Sequence, residues 1–559
     1  MVKSSESELV FLPLGGSNEI GMNLNLYGWG PGDQKQWIMV DCGVTFGDSS
    51  TPGVDVIVPD PSFIVERKDQ LLGMVITHGH EDHLGAVPYL WEQLRCPVYA
   101  TPFAAFLLRE KLREAGILDA VPLHEVPVDG DLSLGPFDIQ LITLTHSIPE
   151  PNGLAITTPV GTVWHTGDWK LDPTPVGSPV SDIPALKSMG QDGVLAMVCD
   201  STNVFVEGTS GSEEGVGEAL KNVIKDLRSG KVAVTGFASN IGRVESIIRA
   251  AAAAERHVCL LGRSLGRYVA AAKSVGLLQD IPEFVTEDEA RMMPDEAVLY
   301  LCTGSQGEPR AALARIAEGS HRAVSFGAGD TVLFSSRVIP GNEIGIRNLQ
   351  NKLAANGVRI ITEREHPIHV SGHPCRDELR DMYALAKPKI AIPTHGETRH
   401  LHEHARFALS LQVPHALAPE NGQMIKITPK GASVIDEVPS GRLFVDGGFL
   451  VPADDDAMRL RRRMAYAGHI TIGLAIDDQA RVVSGPELRM SGMPADDDEP
   501  IESWIEDLAE EAAEAWRRLP KAQRRNLSEA ETVLARKVRK RAEYIWDKRP
   551  LVECVILVV

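Results

Sequence analysis

A layered α/β fold is predicted, with a second α/β domain set into it and a small α+β domain at the C-terminal end, on three observations. Over the first two hundred residues, short apolar and β-branched runs alternate with Gly/Pro/Asp turns and few helical patterns, which calls for sheets with helices packed outside. From about Gly208 helix and strand patterns alternate regularly, which implies a parallel sheet covered on both faces. Between about 361 and 430 the strand-and-turn style returns, so the middle domain reads as an insertion in the first.

In chain order, strands are expected at 9–14, 37–40, 74–77, 98–100, 139–144, 163–165 and 195–199, with a helix at 102–115. The alternating region carries helices at 213–228, 241–256 and 263–274, strands at 231–234, 257–261 and 298–302, and continues through 309–317. A strand at 389–393 ends at Thr394-His395-Gly396-Glu397. Residues 439–452 are Gly-rich and linker-like, the acidic stretch 496–511 leads one long charged helix into the basic segment 517–541, and 551–559 is a strand. The domain limits drawn from this are 1–207 and 361–438 for the two parts of the first domain, 208–360 for the insertion, 439–460 for a linker and 461–559 for the last domain. The acidic helix is read as a solvated face.

The chain has 559 residues, 43% hydrophobic and 24% charged, which suits several globular cores and excludes a disordered protein. Its start shows no apolar stretch behind a basic one, and no apolar run reaches the roughly 18 residues that would span a bilayer, so a cytoplasmic protein with no membrane partner is expected. The seven cysteines (Cys42, Cys96, Cys199, Cys259, Cys302, Cys375 and Cys554) are scattered and form no C-x-x-C pair, so they are read as reduced and mostly buried. A formal charge of −20 argues against nucleic acid taken alone, yet 221–273 and 459–463 are locally basic.

The chemistry is concentrated in Thr77-His78-Gly79-His80-Glu81-Asp82-His83, directly after the apolar run Leu71-Leu72-Gly73-Met74-Val75-Ile76. Three imidazoles and the Asp82 carboxylate at the mouth of a buried strand supply nitrogen and oxygen ligands suited to borderline divalent metals. A polar loop would leave that clustering unexplained. Further candidates also follow strands: His146 after 139–144, Asp168 after 162–164 and His395 after 390–393, where loops present functional groups on a rigid sheet.

These positions resemble the metallo-β-lactamase superfamily signature, His-x-His-x-Asp-His followed by a separate His, a bridging Asp and a last His. The resemblance implies an αββα sandwich. It also implies one metal on His78, His80 and His146, a second on Asp82, His83 and His395, and Asp168 bridging. Asp41 matches the early Asp that supports such a cluster through hydrogen bonds, a turn aspartate being the alternative. Two divalent cations roughly 3.5–4 Å apart can lower the pKa of a shared water and neutralise charge on a phosphoryl or carbonyl oxygen.

The long stretch between Asp168 and His395, filled by the inserted domain, resembles the β-CASP group of nucleic-acid-processing enzymes, and His395 resembles its RNA-processing members. Further motifs are similar to the bacterial ribonuclease J branch: Leu14-Gly15-Gly16-Ser17-Asn18-Glu19-Ile20-Gly21-Met22-Asn23, Thr235-Gly236-Phe237-Ala238-Ser239-Asn240, Thr303-Gly304-Ser305-Gln306-Gly307-Glu308-Pro309, Ile339-Pro340-Gly341-Asn342-Glu343 and His369-Val370-Ser371-Gly372-His373. The likeness is clear over about 8–450 and looser beyond. Gly-rich and Ser/Asn-rich loops after strands are tight turns or backbone nests for phosphate; several of them facing a metal site favour phosphate.

That resemblance implies a 5′-to-3′ exonuclease preferring a 5′ monophosphate, with endonuclease cleavage as well, acting in rRNA processing and mRNA decay. It implies catalytic roles for Asp82, Asp200 and His373, and a terminal-phosphate pocket from His369, Val370, Ser371, Gly372 and His373 with Ser239 and Asn240. It further implies two zinc or manganese ions, single-stranded RNA as partner, a homodimer or homotetramer, and a structural calcium near Gly53, Asp55 and Asp446, where ordinary turn aspartates are the alternative; membership of an RNA-degradation complex is left open. With aromatics at 5%, backbone contacts rather than a long stacking platform are expected. Two rival readings stay open: a thioesterase- or lactonase-type hydrolase of small esters, and a non-catalytic RNA-binding subunit.

Overall fold

The computed structural model describes residues 7–48, 50–494 and 501–559. The first part of the acidic stretch, 496–500, lies outside them, as does the polar start at 1–6. The chain forms two compact units, Met1–Thr45 with Val58–Arg442, and Phe46–Ile57 with Leu443–Val559.

In the first unit two sheets lie face to face. One runs, in spatial order, Gly431–Glu437, Gln423–Thr428, Glu8–Gly15, Leu24–Gly30, Gln36–Val40, Leu71–Val75, Val98–Ala100 and Leu123–Glu125. The other runs Asp131–Leu134, Phe137–Thr143, Asn152–Thr158, Gly161–His165, Val194–Asp200, Ile390–Thr394 and His415–Ala416. Both are antiparallel on one side and parallel on the other. The inner faces share one core, in which Leu9, Phe11, Ile38, Val40 and Val75 meet Ile139, Leu141, Ile156, Val163, Val198 and Ile392. The outer face of the second sheet packs Trp164, Met197 and Ala391 beneath Leu379, Met382 and Phe407 of helices Arg376–Ala386 and Thr398–Ser410. Apolar side chains on both faces of its central strands are what a parallel sheet covered by helices requires.

Neighbouring strands Val194–Asp200 and Ile390–Thr394 are paired in parallel, Asp200 opposite Thr394, although the chain between them builds a further sheet. That sheet is wholly parallel, in the order His257–Leu261, Val298–Cys302, Val232–Thr235, Thr331–Phe334 and Arg359–Ile361. Helices Glu213–Asp226, Ile241–Ala253 and Arg263–Ser274 share one core with it, and Ala312–Ala317 with Glu343–Ala355 share another. Leaving and re-entering the second sheet at adjacent strands brings Asp200 and His395 to the same strand ends.

In the second unit Val482–Ser491, His469–Ile476 and Leu551–Val558 form a sheet, the last pair parallel. Its buried face, with Ile470, Ile472 and Val552, packs on Leu508, Ala512 and Val538 of two helices. Two expectations fail here. The span 439–460, read as a linker, holds a hairpin of Arg442–Asp446 and Phe449–Pro452 and the start of helix Asp456–Ala467. Its glycines Gly447 and Gly448 are the two-residue hairpin turn, Gly447 at φ 59°, not slack chain. The single long helix is Ile501–Arg518 and Leu527–Trp546 instead, broken at Pro520 and restarted by an Asn526 side-chain cap.

All seven cysteines are unpaired, and six are buried. Among the described residues no helix is long and apolar enough to cross a membrane.

Candidate metal centre

The strand Leu71–Val75 ends two residues before Thr77, and the next turn carries His78, then His80 at the start of helix Glu81–Leu84, which holds Asp82 and His83. Close packing makes that turn: a Cβ on Gly43 would lie 1.6 Å from the Asp82 carbonyl oxygen, so only glycine admits the Asp82 backbone there. His146 follows Phe137–Thr143, Asp168 follows Gly161–His165 and His395 follows Ile390–Thr394.

These strand ends bring together three groups that share Asp168: His78, His80 and His146 in the first, Asp82, His83 and His395 in the second, and Asp200 with His373 in the third. In the first, His80 Nδ1 lies 3.0 Å from His78 Nε2 and 3.1 Å from His146 Nε2. In the second, the Nε2 atoms of His83 and His395 lie 3.7 and 3.9 Å from Asp82 Oδ2, and 3.2 and 3.5 Å from Asp168 Oδ2. Asp168 is buried, and among the described residues its Oδ2 makes no well-formed hydrogen bond despite four imidazoles within 3.9 Å. A buried carboxylate oxygen left unmatched is costly unless something else satisfies it, and a divalent cation would.

Burial pulls His78 and His146 well below the usual imidazole range and His80 down to about 4, so their lone pairs are available to metal near neutral pH. Burial acts the same way on His83, but the charges of Asp168, Asp41 and Asp82 prevail and raise it well above that range. Burial would also raise Asp168, yet the charges of His395 and His83 hold it well below the carboxylate range.

Each remote imidazole nitrogen has a partner that fixes the ring. Asp41 is buried; its Oδ2 accepts from His83 Nδ1 at 2.7 Å and from the Thr77 hydroxyl at 2.9 Å, and its Oδ1 accepts from the Thr77 N–H at 2.8 Å. Thr77 Oγ1 meets His78 Nδ1 at 3.0 Å, and His146 Nδ1 donates to the Gly372 carbonyl at 2.6 Å. A Cβ on Gly372 would meet the His146 ring at 2.9 Å. Asn23 Oδ1 accepts from His395 Nδ1 at 3.1 Å while Nδ2 donates to the Asp82 carbonyl at 3.1 Å. Such outer hydrogen bonds set tautomer and orientation in metal sites. The donor set and the unmatched Asp168 oxygen fit divalent metal.

Beside the cluster, His373 Nδ1 donates to Asp200 Oδ2 at 2.7 Å, and Asp200 Oδ1 accepts from the N–H and hydroxyl of Thr202 at 2.8 and 2.7 Å. Burial pulls His373 down, but the charge and hydrogen bond of Asp200 raise it to about 9.

Similarity to known proteins follows this geometry. Residues 36–184 match a β-lactamase superfamily domain, 229–353 the ribonuclease J β-CASP domain, 357–410 a Zn-dependent metallo-hydrolase RNA specificity domain and 456–559 the ribonuclease J C-terminal domain. Ribonuclease J of Sinorhizobium meliloti is 44% identical over 99% of this chain and 98% of its own length. The chain belongs to the ribonuclease J family. Ribonuclease J of Corynebacterium glutamicum is 36% identical over 98% of this chain and 76% of its own, and ribonuclease J 1 of Streptococcus pyogenes 35% over 87% and 86%.

The remaining residues singled out from sequence fall in several places in this ribonuclease J-family fold. Ser371 Oγ accepts from Asn203 Nδ2 at 2.8 Å and from the His373 N–H at 3.1 Å, which leaves its hydroxyl proton to donate. Val370 packs against the core of the inserted sheet. Burial and the nearby Arg243 charge lower His369 to about 3, so it is a neutral group. Asn240 is buried, its Oδ1 accepting from the Arg243 N–H at 2.9 Å and its Nδ2 donating one of its two protons to Glu213 at 3.1 Å. Ser239 Oγ lies 3.1 Å from His80 Nε2. In the second unit, Asp446 is gripped by both terminal nitrogens of Arg461 at 3.0 and 2.6 Å. Among the described residues neither Asp55 nor Asp446 joins a group of three or more ligating side chains, and Gly53 lies beside Arg461 rather than a carboxylate cluster.

Sequence reading assigns no role to Thr77, Thr202, Asn203 or Glu378, and quotes Asn23 only within a motif. The Glu378 carboxylate is buried and accepts from Ser210 N–H and hydroxyl, the Cys375 N–H and the Leu171 N–H, joining the segments that carry Asp168 and His373.

Proposed function

We propose that this chain is a two-metal ribonuclease that degrades single-stranded RNA from a 5′ monophosphate in the 5′-to-3′ direction and also cuts internally, in cytoplasmic rRNA processing and mRNA decay. The observation that carries this reading is the attachment of the 369–373 segment to the metal cluster. The Gly372 carbonyl takes the outer proton of His146, and His373 reaches both Asp200 and, at 3.9 Å, Asp168. A phosphate held on that segment therefore sits at a fixed distance from the cluster.

His78, His80 and His146 would hold one cation and Asp82, His83 and His395 the other, with Asp168 between them. When bound, such cations lower the pKa of water and offset charge on phosphoryl oxygens. Zinc suits the imidazole-rich set, and manganese tolerates its mixture of nitrogen and oxygen. The Ser371 hydroxyl and the backbone beside it bind the terminal phosphate. Asp200, oriented by Thr202, holds a proton on His373 Nδ1, which leaves Nε2 to pass a proton to the departing 3′ oxygen. The chain works as a homodimer or homotetramer and joins an RNA-degradation complex.

Ser371→Ala tests the end-sensing part. Rates on otherwise identical RNAs bearing a 5′ monophosphate or a 5′ hydroxyl are compared, and the variant is expected to lose most of the wild-type preference. An unchanged ratio would remove Ser371 from the pocket.

A further inference from the structure

We propose that Ser239, carried by the β-CASP segment, is the outer hydrogen-bond partner of His80, so that this segment completes the metal centre and metal occupancy in turn tightens the segment. The inference rests on the metal reading above.

His80 Nδ1 faces the Nε2 atoms of His78 and His146 at 3.0 and 3.1 Å, which makes Nδ1 the nitrogen turned to metal. A neutral imidazole with its Nδ1 lone pair so used carries its proton on Nε2. That nitrogen is 3.1 Å from Ser239 Oγ, which accepts it. The other four rings are held by Thr77, Asp41, Gly372 and Asn23, all outside residues 229–353. His80 alone takes its partner from the segment matched as β-CASP.

Ser239 is placed firmly enough to act this way. The turn closes through the Asn240 N–H to the Phe237 carbonyl at 3.2 Å and the Ile241 N–H to the Ser239 carbonyl at 2.9 Å. Asn240 caps helix Ile241–Ala253 and donates to Glu213, which is paired on two atoms with the buried Arg243. A partner so anchored orients the ring, and coupling of this kind is reciprocal: what Ser239 adds to metal affinity, metal returns to the turn.

The test measures zinc binding to the full chain by competition with a chromophoric chelator, for wild type, Ser239→Ala and Ser239→Thr. Amide hydrogen exchange of residues 236–245 is followed with and without zinc, and metal-free melting checks that the variants fold. The alanine variant should bind one of its zinc ions about 10- to 100-fold more weakly, the range typical of outer-partner loss. The threonine variant, which keeps the hydroxyl, should stay within about threefold of wild type, as expected if the hydroxyl is what matters. Zinc should slow exchange at 236–245 in wild type and much less in the alanine variant. Unchanged zinc affinity in Ser239→Ala overturns the proposal, and if that variant also loses discrimination between monophosphate and hydroxyl RNA ends, Ser239 is a phosphate ligand instead. Failure of wild type to bind zinc or manganese at all would sink the metal reading, and this inference with it.

Discussion

Replacing Asp41 by asparagine isolates what its charge does for His83. The Asp41 backbone sits at φ 64°, in the left-handed region that asparagine adopts readily, so the substitution keeps both shape and local conformation. The carboxylate accepts three hydrogen bonds, one of them from His83 Nδ1 at 2.7 Å. An amide has one acceptor oxygen. If that oxygen keeps the Thr77 N–H, the amide nitrogen confronts His83 Nδ1–H donor to donor. His83 must then move its proton to Nε2, the nitrogen 3.2 Å from Asp168, and the lone pair meant for metal is lost. Keeping the original tautomer instead leaves buried donors unmatched, at about 1–3 kcal/mol. That is about 5- to 150-fold in a binding constant, which overlaps the 10- to 100-fold typical of outer-shell substitutions. Zinc competition titration of wild type and Asp41→Asn should therefore show one site weakened by about 10- to 100-fold. Affinity within about twofold of wild type would refute the argument that Asp41 sets the His83 tautomer.

Two other buried groups make sharper demands on stability. Glu378→Leu strands four donors, three of them in buried bonds, and should cost at least about 3 kcal/mol by urea unfolding, whereas a loss under about 1 kcal/mol would show that the Asp168 and His373 segments do not depend on it. Glu213 is buried, and although burial raises a carboxyl, the Arg243 charge holds it below the ordinary 4.5. A group so depressed adds stability that is complete above 4.5 and fades as pH falls through the lowered folded value. Glu213→Gln, which leaves Arg243 buried and unpaired, should cost about 3–5 kcal/mol at pH 7, with the gap to wild type narrowing only below pH 4.5. A gap that narrows on the alkaline side would contradict the pairing.

The metal cluster was largely legible in the sequence because its members announce themselves locally. Four lie within one turn after an apolar run, and His146, Asp168 and His395 each follow a strand, which marked them as candidate ligands, while their grouping around Asp168 came from the likeness to the metallo-β-lactamase signature. Asp41 was picked out by the same likeness, a turn aspartate being the alternative. The supporting hydrogen bonds were not, since they join residues far apart in the chain with no periodic signal: Glu378 to Leu171 and Ser210, Ser239 to His80, Asn23 to His395. Asn240 in a Ser/Asn turn suggests phosphate, and that it also caps a helix through its Oδ1 had no local signal. Gly447-Gly448 suggests a linker, yet two glycines between alternating apolar residues close a hairpin, and Pro520 interrupts a helical charge pattern that otherwise reads as continuous.

The most direct test of the account uses one end-labelled RNA carrying a 5′ monophosphate, triphosphate or hydroxyl, incubated with wild type or His80→Ala in added zinc or manganese. Rapid loss of the monophosphate RNA with wild type, slower loss of the other two, and no loss with the variant is the predicted result. Wild type and variant equally inert on all three RNAs, in either metal, would contradict it.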